Sequence, residues 1–262
     1  MFKKALLYLK FLVSARTKYN IHSPFVHSFI QNILDDKQTY YSYLPIEHLR
    51  KLLLSEHTAI KLNDLGAGSK ITNAKSTTIN KLTDKVQSSK NKAQLIFRTI
   101  NFFRPKKILE IGTSLGLTTA YMANANRQSI ITTVEGDQSI AKIANNNFKR
   151  LKINNIKIIN NEFDEVLPEL FKENFNFVFF DGNHSKEATL RYFNWSLQSK
   201  DQNSIFVFDD IYWSNDMQIA WEIIRNDKNV TLSIDLFSIG VIFFIEKNQK
   251  EHFKLIHHSN FF

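Results

Sequence analysis

Between Asn91 and Glu246 the chain alternates between amphipathic stretches of helical length and short apolar runs suited to strands. A helix over 91–103 ends ahead of Pro105, and Lys107-Ile-Leu-Glu-Ile111 follows as a buried strand. Helices over 116–126, 138–151, 164–171, 186–199 and 215–226 then alternate with strands over 129–135, 156–160, 175–181 and 204–209. Last come two strands, 230–237 and 240–246, joined at Ser238-Ile-Gly240. Strands joined through helices run parallel, because the crossover carries the chain back to its starting edge, whereas a short turn makes an antiparallel pair. The pattern predicts an α/β fold, a doubly wound and mostly parallel sheet that ends in an antiparallel hairpin.

Ahead of this region the pattern differs. Residues 1–62 read as a helical cap, with helices over 2–15, 25–34 and 46–55, a break at Ile21-His-Ser-Pro24 and a turn rich in Tyr40, Tyr41 and Tyr43. Nothing there alternates like a strand. In the first helix Leu6, Leu9 and Val13 recur at helical spacing and are expected to pack on the body. Residues 63–90 are polar and read as a loop or lid with a short helix at most, and 91–262 as the sheet domain. The run Leu62-Asn-Asp-Leu-Gly66-Ala-Gly68-Ser69 looks like a ligand loop, but no strand leads into it and no strand ending in an acid follows.

Composition narrows the chemistry. At 262 residues and 43% hydrophobic, the chain can bury a continuous core. It has no cysteine, which excludes disulfides, zinc-thiolate sites, iron–sulfur clusters and cysteine nucleophiles. Any nucleophile or metal ligand is oxygen or nitrogen. The formal net charge of +9 admits nucleic acid, an anionic surface or an acidic substrate as partners, but the basic residues form no stripe. The basic, apolar N-terminus has Lys10 inside its apolar run and lacks a clear cleavage site, so a secretory signal is not expected. No apolar run reaches bilayer length, and a cytoplasmic location is expected.

In open α/β sheets ligands sit at the carboxyl ends of the strands. The first strand leads into Glu110-Ile-Gly112-Thr-Ser-Leu-Gly116, where Gly112 allows a tight turn and the next helix begins with free N–H groups. An acid facing that loop suits a ligand with a positive charge or an amino group better than a diphosphate. The second strand ends in Val134-Glu135-Gly136-Asp137, with an acid placed to accept two ribose hydroxyls. After the third, Glu162 and Phe163 are placed to flank an adenine. Taken singly, each strand-end acid has a plainer reading as a helix cap.

These residues, with Phe179-Phe-Asp-Gly-Asn-His184 after strand four and Phe206-Val-Phe-Asp-Asp-Ile211 after strand five, resemble the class I S-adenosylmethionine-dependent methyltransferases over roughly residues 91–246. The resemblance implies strand order 3-2-1-4-5-7-6. It also implies that Glu110 and Gly112 line the methionine end of the cofactor, Glu135 the ribose, and Glu162 with Phe163 the adenine. Thr113, Ser114, Gly116, Gly136 and Asp181 complete the cofactor site. Within the class the chain looks most like the metal-dependent O-methyltransferases of the catechol and macrocin types, in which acids after strands four and five hold a divalent cation. The matching residues are Asp181, Asp209 and Asp210. Neighbouring strand tips lie about 4.8 Å apart, so these carboxylates converge, and three of them without a cation repel one another. Oxygen ligands point to Mg²⁺, Mn²⁺ or Ca²⁺.

His184, three residues after Asp181, is the expected base, with Asp181 as the other catalytic group; its plainer reading is a cap of the next helix. Tyr212 and Trp213 are placed to wall an acceptor pocket or to serve as core aromatics. His22, His27, His252, His257 and His258 read as surface or local hydrogen-bonding groups. The expected function is O-methylation of a small-molecule acceptor, with a homodimer through the cap as an expected assembly. Two rivals stand beside it. A nucleic-acid (RNA) methyltransferase is disfavoured because Phe-Asp-Gly-Asn follows strand four in place of the proline-rich motif of amino-group methylators. The other is a catalytically silent cofactor-binding or scaffold protein.

Overall fold

A computed structural model describes residues 2–62, 76–85, 88–247 and 249–256. The Gly66-Ala-Gly68 run, most of the expected lid, His257 and His258 lie outside the described residues. Helix α1 (Phe2–Ser14) is followed by α2 (Pro24–Phe29), which begins with its proline in the first turn and runs into a π-helical turn, Ile30–Leu34. Helix α3 (Tyr43–Leu54) completes the cap.

Two short strands correct the all-helical and loop readings of this half. Strands β1 (Ala59–Lys61) and β2 (Ser76–Thr78) pair antiparallel, and α4 (Ile79–Lys85) follows. At three residues each, they are too short for alternation to register in the sequence. One of them does lead toward the Gly66 run.

Helix α5 (Lys90–Phe103) is capped by Ser89, whose Oγ accepts from Lys92 N, and ends at Arg104 in the left-handed region, directly before Pro105. Then β3 (Lys107–Ile111), α6 (Leu117–Ala125), β4 (Ile130–Glu135), α7 (Gln138–Arg150), β5 (Ile156–Asn160), α8 (Phe163–Leu170), β6 (Phe177–Phe180), α9 (Lys186–Ser196), β7 (Ile205–Asp209), α10 (Asn215–Asn226), β8 (Leu232–Asp235) and β9 (Ile239–Phe243) succeed one another as the alternation predicts. One further strand, β10 (Glu251–Lys254), runs parallel to β8 along the edge of the sheet. The sheet order is β5-β4-β3-β6-β7-β9-β8-β10. Counted from β3, this is 3-2-1-4-5-7-6 with an eighth strand added, so the seven-strand expectation falls short by one edge strand. Parallel pairing holds from β5 to β7, and β9 is antiparallel to both β7 and β8.

Two apolar layers enclose the sheet. Leu109, Ile111, Val178 and Phe206 pack against α8, α9 and α10 on one face. On the other, Ile108, Phe177 and Val207 share one continuous core with α5, α6 and the cap residues Val26, Phe29, Ile33, Ile46 and Leu53. The cap is therefore built onto the sheet's core. Arg98 Nε donates to Ile33 O at 2.6 Å, tying α5 to the π-helical turn.

Helix α1 docks on a different face from the one expected. Leu6, Leu9 and Val13 are 46%, 58% and 91% exposed, while Phe11 is buried. Tyr8 and Phe11 pack on Phe237, at ring separations of 4.9 and 5.5 Å. Aromatic rings bury more area than the aliphatic stripe and set the rotation of the helix. Among the described residues no helix is long and apolar enough to cross a membrane.

Candidate active site

The strand order reverses between β3 and β6, and the loops at their carboxyl ends meet there. Gly112 has φ +99°, and a Cβ on it would lie 2.5 Å from the backbone oxygen of Asp181, so only glycine fits against the β6 loop. Asp181 N donates to Ile111 O at 2.9 Å. Opposite this contact Gly182 lies against the Phe163 ring, where a Cβ would sit 2.7 Å from Cε2. Gly116, also left-handed, opens α6 against Phe148. Three non-glycine residues of these loops, Ser114, Asn183 and Asp210, also have positive φ. Such backbone conformations cost energy and concentrate where function over-determines geometry.

Glu110 is fully buried on the cap side of β3. Its Oε2 accepts from Thr119 on α6 and from Thr133 on β4, and Thr133 in turn shares a hydrogen bond with Thr113. Its Oε1 is buried with no hydrogen-bond partner, as is Ser114 Oγ. Burial pushes the Glu110 carboxyl up to about 8, against the opposing pull of the two threonine hydroxyls. Glu135 Oε2 accepts from Ser114 N at 2.8 Å and Oε1 from Asp137 N at 3.0 Å, so this acid ties the glycine loop to its own. Burial raises it to about 7, although those N–H groups pull the other way.

Gly136 is held from β5, since Asn160 Nδ2 donates to the carbonyls of Glu135 and Gly136. Asp137 takes the plain role of a helix cap, accepting from Ser139 N and Ile140 N. Glu162 is exposed at the rim without a capping side-chain bond.

The two raised carboxyls tie folding stability to pH. Between the ordinary glutamate value of 4.5 and the folded values, the folded chain holds protons that the unfolded chain has released. Stability from these groups is full below the ordinary value and falls as pH rises to about 8. Thermal melts of the ligand-free protein should show the midpoint dropping from pH 5 to pH 8, and Glu110→Gln should flatten that drop.

Asp209 and Asp210 meet at one point, with Asp181 linked to Asp209 through Ser88, and among the described residues no group of three or more acids or histidines is placed to hold a metal ion. The β6–β7 register pairs Phe180 with Phe208, whose rings stack at 4.2 Å, so the next residue of each strand, Asp181 and Asp209, leaves side by side. Left-handed Asp210 breaks the alternation of side chains along the strand and brings two consecutive carboxylates to one point. That point is already filled. Lys92 Nζ, from the first turn of α5, donates to Asp209 Oδ1 at 2.6 Å and to Asp210 Oδ1 at 2.7 Å. Ser88 Oγ lies 3.3 Å from Asp181 Oδ2 and 3.5 Å from Asp209 Oδ2.

Lys92 is 9% exposed. Burial lowers the pKa of an ammonium, but the Asp209 and Asp210 carboxylates outweigh it and hold Lys92 above its usual value. Burial and the Asp209 charge push Asp181 well above its ordinary value. The cap is wired to this cluster. Arg50 Nη1 donates to Ser88 O, Arg50 Nε to Glu47 Oε1, and Tyr121 OH to the same Glu47 oxygen.

The expected divalent cation does not fit this arrangement. A dication on the same oxygens would sit about 3 Å from the ammonium, a repulsion of roughly 10 kcal/mol at an effective dielectric constant of 20. Lys92 and Ser88 escaped the sequence reading. The available signal was a lysine in the first turn of a helix, against the sign of the helix dipole, with no acid in that turn to answer it.

His184 Nε2 lies 3.8 Å from Asp181 Oδ1 on the same loop. It is Ser185 that caps α9, through Ala188 N. Tyr212 proves to be a core aromatic, bonded to Asp235 and stacked on Phe237, while Trp213 is 65% exposed.

Residues 109–211 match the family model described as a methyltransferase domain. The fold is that of the class I methyltransferases. A catechol O-methyltransferase of Niastella koreensis is 27% identical over 131 residues, which are 48% of this chain and 58% of that enzyme, so the match spans little more than half of the curated relative. Among solved structures, a methyltransferase of Podospora anserina bound to S-adenosylhomocysteine superposes with TM-score 0.59 at 15% identity, covering 86% of this chain and 97% of its own. An O-methyltransferase of Bacillus cereus, in complex with the same molecule, does so with TM-score 0.55 at 17% identity over 84% and 97%.

Proposed function

We propose that this chain is an S-adenosylmethionine-dependent methyltransferase that methylates an oxygen of a small-molecule acceptor. The observation that carries this reading is the unpartnered, buried Oε1 of Glu110 beside a loop only glycine can form at Gly112. A buried carboxylate oxygen lacking a donor suits an ammonium, and the methionine end of the cofactor has one. When bound, the cofactor supplies a methyl group on a sulfonium.

The chain's own residues do the rest. Glu110, with Gly112, Thr113, Ser114 and Gly116, holds the amino-acid end. Glu135, already oriented by two backbone N–H groups, keeps lone pairs for the ribose hydroxyls, with Gly136 beside it. Phe163, half-buried and backed by Gly182 and Tyr192, offers a face to the adenine, with Glu162 at the rim. His184 takes the acceptor's proton, with Asp181 3.8 Å away on the same loop. Catalysis rests mainly on holding acceptor and donor in line with water excluded.

The test is calorimetry with S-adenosylhomocysteine, followed by transfer of labelled methyl to a panel of phenols and hydroxylated acids. Glu135→Ala should weaken binding by about 10-fold or more, through the lost ribose contact and the loosened glycine loop. His184→Ala should leave binding unchanged and lower kcat by about 10²-fold or more. Wild-type protein that binds no S-adenosylhomocysteine would overturn the reading.

A further inference from the structure

We propose that Lys92 is a built-in cation that takes the seat of a divalent metal between Asp209 and Asp210, so that the strand-tip aspartates work with an ammonium from the chain itself. Three observations carry this. Lys92 Nζ makes short ion pairs with two consecutive carboxylates, and Asp209 Oδ1 also accepts Asp210 N, which fixes that carboxylate toward the lysine. Lysine stands at the positive end of a 14-residue helix, where a cation is disfavoured unless carboxylates answer it. Finally, Ser88 reaches Asp181 and Asp209 from just before that helix, and Arg50 of α3 holds the Ser88 carbonyl. The helix that carries the ammonium is thereby locked to both the cap and the strand tips.

In chemical terms the ammonium gives what a fixed cation gives at such a site, neutralisation of the two carboxylates and a set position for them. It does so without coordination geometry. Two of its three N–H bonds are committed to Asp209 and Asp210, leaving one for a single acceptor oxygen. Lys92 is thus a positioning residue for the aspartates. The inference rests on the methyl-transfer reading only for what the site is used for, because the occupancy of the seat is a property of the chain alone.

The experiment is a titration of Mn²⁺ into the full chain, followed by electron paramagnetic resonance of the free ion. Wild-type protein should take up no stoichiometric Mn²⁺. Lys92→Ala should gain one site, at least about 10-fold tighter than any wild-type binding, and Asp209→Asn added to it should abolish that site. A wild-type site that Asp209→Asn removes would overturn the proposal, as would a folded Lys92→Ala that gains none.

Should Lys92→Ala not fold, amine acylation of wild-type protein read by mass spectrometry decides the matter. Labelling of Lys92 should be slow and unchanged by millimolar Mn²⁺, and acceleration by Mn²⁺ would mean that metal displaces the ammonium. Neither readout uses methyl transfer or the cofactor, so failure of this proposal is distinguishable from failure of the functional reading.

Discussion

Lys92→Met should destabilise the protein by about 3–5 kcal/mol, because it removes one partner of a buried charge cluster and leaves the others uncompensated. Methionine fills much the same volume, so the loss is electrostatic more than steric. Asp209 is 3% exposed and its neighbour Asp181 is already pushed toward its protonated form by burial and by Asp209. Without the ammonium, the consecutive Asp209 and Asp210 carboxylates lose the cation they share. The sign with pH follows. Carboxylates left without their counter-charge are raised in the folded state, so the variant regains stability as pH falls and loses it as pH rises. Urea denaturation at pH 5 and pH 8 should show the deficit of the variant larger at pH 8. An equal deficit at both pH values would mean that Lys92 acts by packing alone.

Gly112→Ala should cost at least about 3 kcal/mol and reduce S-adenosylhomocysteine affinity by about 100-fold. The backbone there, at φ +99°, is one that side chains rarely adopt. The added Cβ would meet the Asp181 oxygen and carbon at 2.5 and 2.8 Å and Gly182 N at 3.1 Å, all backbone atoms in the adjoining loop. None of these is a side chain that can rotate away, so the β3 and β6 loops must separate. That parts Glu110 from Asp181 and carries Gly182 away from Phe163. Gly116→Ala makes a useful contrast. Its Cβ would meet the buried Phe148 ring at 2.4 Å on the helix side and not the β6 loop, so it should cost stability while its effect on binding is smaller. Comparable losses from the two variants would contradict the role given to the β3–β6 loop contact.

The sheet was legible because its signals are local. Helix α10 follows the predicted 215–226 to the residue, with Ser214 as its cap, and β5 likewise keeps 156–160. Strand β10 was not legible, since Glu-His-Phe-Lys has one apolar residue and is a strand only through its pairing with β8. The rotation of α1 was missed for a related reason. Leu6, Leu9 and Val13 form as regular a stripe as the Tyr8–Phe11 face that packs inward, and the choice is made by Phe237 and Tyr212, more than two hundred residues away.

At the site, acids at strand tips were identifiable from their order after successive strands, and the register of β6 on β7 explains why Asp181 and Asp209 meet. Lys92 could not be placed, because its partners lie 117 and 118 residues downstream, and its place in the first turn of α5 signals only that some acid must answer it. A divalent cation was the natural inference from three aspartates expected to converge. The ammonium that answers Asp209 and Asp210 is a long-range fact of the fold.

The strand-tip loops are proposed to hold S-adenosylmethionine for methyl transfer. Calorimetric titration of S-adenosylhomocysteine into the wild-type chain, in buffer containing a metal chelator, tests it most directly. One molecule should bind per chain, with affinity weakened in Glu135→Ala and nearly lost in Gly112→Ala. An absence of binding, or binding untouched by both substitutions, would contradict it.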